Sequence, residues 1–172
     1  MTLAGNRVLL FVDEGYEELE FWYPRLRLAE EGAVVDVVAA EKRIYHGKHG
    51  YPAKADLTYA EVDPAAFDAL VVPGGLAPDH IRRHKTALAL VRELARAHKT
   101  IAAICHGPHV LVSAGVLRGK RATCFSSIAD DVANAGATYL DAEVVVDGGV
   151  ITSRTPADLP AFCRAIINAL EG

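Results

Sequence analysis

Three cysteines, one tryptophan and one methionine are scarce currency in 172 residues, and no histidine occurs beyond His109. Cys105, Cys124 and Cys163 are too few and too scattered for a disulfide framework. The chain therefore reads as one kept in a reducing compartment, the cytoplasm. No apolar run approaches the ~20 residues of a membrane span, and Met1–Asn6 is too short and polar for a signal peptide, so no membrane partner is expected. No basic block interrupts a net charge of −4, and nothing points to nucleic acid. No repeat, low-complexity stretch or linker divides the chain, so residues 1–172 are expected to form a single domain.

What is present is globular: 51% hydrophobic and 23% charged residues. Arg7–Val12, Val34–Ala40, Ala69–Val72 and Thr100–Ile104 are short, β-branched, nearly continuous apolar runs, as buried parallel strands require. Helical patterns cover Tyr16–Glu31, interrupted by Pro24 and closed by Gly32, then Ala87–His98, a stretch after Pro108, and Ser127–Ala135. A surface hairpin is expected within Lys42–Leu57. Arg121–Cys124 reads as a short strand, and Asp147-Gly148-Gly149 as the turn of a second hairpin. Thr155-Pro156-Ala157-Asp158 reads as a capping box with proline at N1, opening a last helix to about Leu170. This alternation predicts an α/β fold: a flavodoxin-like, three-layer sandwich around a mostly parallel sheet.

One stretch carries chemistry. Thr100–Pro108, TIAAICHGP, is strand, sharp turn and helix with Cys105 at the turn, a nucleophile elbow of the class I glutamine-amidotransferase kind. The elbow lifts the sulfur above the carboxyl edge of the sheet, and the following helix N-terminus is expected to favour thiolate. Gly107 admits a close backbone or substrate. Pro73-Gly74-Gly75 ends the neighbouring strand with bare amides. With the amide after Cys105, these can form an oxyanion hole. Glu17, Glu18 and Glu20 end the first strand on the same edge. A protonated carboxyl beside the thiol would favour thiolate, an ionised one would oppose it, and sequence does not separate the three. Because no histidine follows His109, the late base of glutamine amidotransferases and α/β-hydrolases is excluded. The base is His106, an upstream residue, or one from another subunit. His80 and His84 share a helical spacing that could hold metal with His46 or His49, but nothing completes such a site, and neither metal nor cofactor is expected.

The stretches EELEFWYPRLRLAEEG, GKHGY, FDALVVPGGLAPD, AAICHGP, SAGVLRGK, DDVANAGA, DAEVVVDG and SRTPADLP, in this order, resemble the PfpI-type branch of the ThiJ/PfpI superfamily. The resemblance spans nearly the whole chain. It implies a flavodoxin-like homo-oligomer, dimer or hexamer. It also implies Cys105 as nucleophile, His106 as its companion, Glu20 hydrogen-bonded to the cysteine, Glu17 in the pocket wall, and Gly75 with the His106 amide as oxyanion donors. Asp79 stands where peptidase-like members place a glutamate that reaches a neighbouring subunit's histidine, and Phe125 stands where close relatives often carry a pocket tyrosine. Both departures weaken a peptidase reading more than a reactive-thiol reading. The expected activity is that of a glyoxalase or deglycase on reactive carbonyls, such as methylglyoxal or its early adducts on protein or peptide amines. The alternatives are an intracellular cysteine peptidase formed in an oligomer, and a non-enzymatic, redox-responsive stress protein.

Overall fold

A computed structural model describes all residues, Met1–Gly172. Seven strands form the central sheet: β1 (Arg7–Phe11), β2 (Val34–Ala39), β5 (Leu57–Thr58), β6 (Ala69–Val72), β7 (Thr100–Ile104), β10 (Val144–Asp147) and β11 (Val150–Ser153). Two smaller pairs, β3 (Ile44–His46) with β4 (Pro52–Lys54) and β8 (Arg121–Ala122) with β9 (Thr138–Tyr139), lie outside it. The order is β10-β11-β7-β6-β1-β2-β5, every neighbouring pair parallel except the β10–β11 hairpin at the edge. The chain adds β2 on one side of β1 and β6 on the other. The β1/β6 boundary is thus the switch point at whose carboxyl end open α/β sheets bind ligands.

The strands form because their side chains are apolar on both faces. Every residue of β6 and β7 is buried. Helices cover both faces: α1 (Glu18–Glu30) packs with α6 (Leu159–Glu171) on one, while α2 (Ala77–Ile81), α3 (Lys85–Arg96) and α5 (Ala129–Asn134) each pack against α4 (Pro108–Ala114) on the other. In α3 the spacing of Ala87, Leu90, Val91 and Leu94 buries one stripe. In α6 the buried stripe is Phe162, Cys163, Ile166 and Ile167. Each large side chain so buried contributes about 2 kcal/mol.

The structure differs from expectation at three places. Of Arg121–Cys124 only two residues pair, with β9 rather than the main sheet, because the Thr123 amide turns to donate to Thr152 Oγ1 at 2.9 Å. Thr155 is the N-cap of a 3₁₀ turn, Pro156–Asp158, with no backbone amide donating to its hydroxyl, and α6 starts only at Leu159. The Asp158 carboxylate is held chiefly by the guanidinium of Arg154 at 3.0 and 3.1 Å, whose fork matches both oxygens, while Thr155 Oγ1 donates to it at 3.5 Å. The short helix α2 has no counterpart in the apolar periodicity.

Candidate active site

The elbow is built by close backbone packing behind it. The Gly107 amide donates to Ile104 O at 2.8 Å, closing the turn directly after β7. Cys105 is forced to φ +62°, a left-handed conformation that a non-glycine residue adopts at a cost of about 1–3 kcal/mol. Two bonds impose it: the Cys105 amide donates to Ser153 O at 3.0 Å, and its carbonyl accepts from the Phe125 amide at 2.9 Å. A side chain at Gly107 would run into Val72 O and sit 2.8 Å from Ile104 O. Gly107 therefore admits backbone, not substrate, and lies outside the pocket lining.

The three glutamates separate completely. Glu18 turns outward to His49, accepting from its amide at 2.6 Å with the imidazole at 3.1 Å. Glu17 is the N-cap of α1, accepting from the Glu20 amide at 2.8 Å, and borders the pocket. Glu20 lies one turn into α1 and is fully buried. Its Oε2 accepts from the Gly74 amide at 2.7 Å, while Oε1 is buried with no hydrogen-bond partner. The Gly74 amide is thus spent on Glu20 and is not an oxyanion donor. A side chain on Gly74 would strike Glu20 Oε2 and stand 2.8 Å from Cys105 Cβ, so this glycine is what lets carboxyl and thiol meet. Gly75, at φ +77°, and His106 direct their amides at the cysteine instead, and neither donates to another backbone group.

Charge in this cluster is governed by burial. Desolvation, and next the neighbouring Glu17, push the Glu20 carboxyl up to about 8. Desolvation, and next the charge and hydrogen bond of an ionised Glu20, push the Cys105 thiol up to about 12 against the pull of the His106 and Gly75 amides. Of the two groups expected to favour thiolate, the helix N-terminus and a protonated carboxyl, the carboxyl lies nearer the sulfur. α4 begins only at Pro108, and the decisive neighbour is Glu20. At neutral pH that carboxyl holds its proton. The opposing charge is then gone, and a protonated carboxyl donates a hydrogen bond that favours thiolate.

His106 forms the other wall. Its Nδ1 lies 3.3 Å from Cys105 Sγ and its Nε2 3.3 Å from Ser127 Oγ. The ring stacks on Phe125 at 5.2 Å between centroids. Burial, and next His109, hold the imidazole below its ordinary value. Asp79 is exposed on α2 at the pocket rim and makes no bond to His106. The cavity these residues enclose is about 390 Å3, ample for a small ligand. Lys48, His109, Leu76 and Pro156 also line it, and sequence reasoning missed them and Ser127. Lys48 arrives on the tip of the β3–β4 hairpin, whose Lys48 amide donates to Tyr16 O at 2.9 Å. No local pattern announces that docking. His80 and His84 lie elsewhere, beside Asp13 and Arg83, and no three His, Cys, Asp or Glu side chains converge as a metal site.

Comparison with known proteins gives a consistent result. The DJ-1/PfpI family pattern matches residues 6–169. A deglycase of Pyrococcus horikoshii is 46% identical over 165 residues, 96% of this chain and 99% of its own length. The protein/nucleic acid deglycase 2 of Escherichia coli is 38% identical over 171 residues, 96% of this chain and 98% of its own. Among solved structures, a two-domain protein of Anabaena variabilis with DJ-1/ThiJ/PfpI-like and ferritin-like domains superposes with a TM-score of 0.94 at 42% identity. The match covers 96% of this chain and 48% of that one.

Proposed function

The chain belongs to the DJ-1/PfpI family, and from that membership we propose a cysteine-dependent enzyme acting on reactive carbonyls, as a deglycase or glyoxalase. The observation that carries this reading is the buried carboxyl of Glu20, pushed up to about 8, against a cysteine sulfur faced by two free amides. In the proposed reaction an early adduct on a protein or peptide amine first returns the aldehyde, its carbon–nitrogen bond breaking as the hydroxyl proton passes to the departing amine, and the Cys105 thiolate attacks the aldehyde carbon of methylglyoxal, whether so released or met free. The carbonyl π electrons move to oxygen, and the Gly75 and His106 amides hold the resulting oxyanion. His106 protonates that oxygen, then moves the proton from the thiohemiacetal carbon to its neighbour. This internal transfer oxidises the first carbon and reduces the second, leaving a thioester. Water cleaves the thioester to the hydroxy acid and regenerates the thiol, so no cofactor or metal is consumed.

Glu20 tunes the sulfur, and Glu17 and Phe125 shape the pocket. The setting we infer is a cytoplasmic homo-oligomer, dimer or hexamer. The test is methylglyoxal conversion to lactate by wild type and Cys105→Ala. Loss of at least 100-fold is expected in the variant, and equal rates would end the proposal.

A further inference from the structure

We propose that Ser127 is the positioning residue that keeps His106 a neutral, two-way proton carrier. The inference rests on the enzymatic reading above, and nothing in the chain's resemblances assigns Ser127 a role. Its motivation is the way the segment after β8 grips the imidazole. The Phe125 amide ties that segment to the Cys105 carbonyl at 2.9 Å, the Phe125 ring covers one face of His106, and Ser127 Oγ meets the outer ring nitrogen at 3.3 Å. With Nδ1 on the sulfur, three contacts fix the ring in one plane. Ser127 Oγ has no other side-chain partner, and the 3₁₀ turn Ser126–Ile128 presents it at the pocket edge.

The chemistry of the partner is the point. A carboxylate only accepts hydrogen bonds. Placed on Nε2 it would hold a proton there and favour imidazolium. A hydroxyl both donates and accepts. When Nε2 carries hydrogen, Ser127 Oγ accepts it, and Nδ1 is free to take the thiol proton: the S–H bond breaks, an N–H bond forms, and the transient imidazolium returns to neutral by passing that Nδ1 proton to the substrate oxygen. When Nε2 is bare, the Ser127 hydroxyl rotates and donates to it, and Nδ1–H faces the sulfur or the substrate oxygen. Both tautomers are therefore satisfied without moving the ring.

The other charged and titratable groups around His106 do not supply this. Lys48 on the β3–β4 hairpin and His109 on α4 both disfavour imidazolium, and His109 is itself turned to Asp131 of α5 at 3.4 Å. Glu17, Glu20 and Asp79 occupy other walls, and none bonds to the ring.

The experiment compares Ser127→Ala, Ser127→Thr and Ser127→Asp with wild type and Cys105→Ala. Steady-state kinetics against pH are read beside nitrogen-15 NMR of the His106 ring. Ser127→Ala is expected to lower kcat about 3- to 10-fold with KM within twofold. Ser127→Thr should restore most of it. Ser127→Asp should raise the His106 titration by about one pH unit and move the acid limb of kcat/KM upward equally, because the base must then be deprotonated at higher pH. Unchanged kcat in Ser127→Ala, together with an unmoved His106 titration in Ser127→Asp, overturns the role of Ser127 while Cys105→Ala still reports on the enzyme itself. If wild type shows no turnover, the carbonyl reading fails. The NMR titrations and tautomer signals then decide the Ser127 contact alone, unmoved signals again overturning it.

Discussion

Three buried thiols have their ionisation suppressed to about the same level, up to about 12 for each, yet they differ in what surrounds them. Cys124 and Cys163 owe this first to burial and have no carboxyl hydrogen bond. Cys105 has Glu20, whose protonation removes the opposing charge. Activity is therefore expected to be bell-shaped in pH. Its acid limb lies below the ordinary histidine range, where neutral His106 is lost, and its alkaline limb falls near 8, where Glu20 ionises against the sulfur. Glu20→Gln, always neutral and still a donor, should erase the alkaline limb. An alkaline limb that persists unchanged in the variant would remove Glu20 from this role. The same group makes a stability signature. Its native value lies above its unfolded value of 4.5, so the native state binds more protons between those limits and stability falls as pH rises toward about 8. Denaturation of Glu20→Gln should lack this decline, leaving it more stable than wild type at pH 9 by on the order of a few kcal/mol.

At the scale of elements, the site depends on how tightly β6, β7 and the α4 N-terminus approach one another. Gly107 lies where Val72 O and Ile104 O leave no room for a Cβ. Gly107→Ala is expected to lose about 2–3 kcal/mol, a fall in Tm of roughly 5–10 °C, with turnover lost further because the elbow opens. A melt within 1 °C of wild type would show that the packing gives way at no cost. The β3–β4 hairpin works in the opposite sense, bringing function to a rigid edge. Tyr16 bridges both Gly47 of the hairpin and Gly75 of the loop after β6, so the first loop of the sheet aligns two walls of the pocket at once.

For the molecule as a whole, the single chain already brings together thiol, amides, carboxyl and imidazole. His106 finds its outer partner in Ser127, and Asp79 stays exposed at the rim. The proposed carbonyl chemistry asks for no further group, whereas a peptidase triad would need a carboxylate from a second copy. Asp79→Ala is accordingly expected to leave methylglyoxal turnover within threefold, whatever assembly sedimentation shows. A loss beyond tenfold, coupled to cleavage of short peptides by wild type, would instead favour the oligomeric peptidase.

Alternating apolar runs are sufficient for the layered fold, and the cysteine followed by His-Gly-Pro is sufficient to place a thiol at a strand–helix turn, because both are written in residues adjacent along the chain. Local patterns overextend the strand at Arg121–Cys124 and place the start of α6 one turn early at Thr155–Asp158, where the Thr152 hydroxyl and the Arg154 guanidinium make competing hydrogen bonds. Which of three neighbouring glutamates enters the site is illegible in the local pattern, and only the family resemblance points to Glu20, since the choice depends on Gly74, 54 residues away, offering its amide to one of them. The same holds for Lys48 and Ser127. The place of the sulfur at the elbow is a property of one short segment of sequence. Its protonation and its partners are properties of distant segments that share a volume only after the core has packed, and tertiary structure alone decided them.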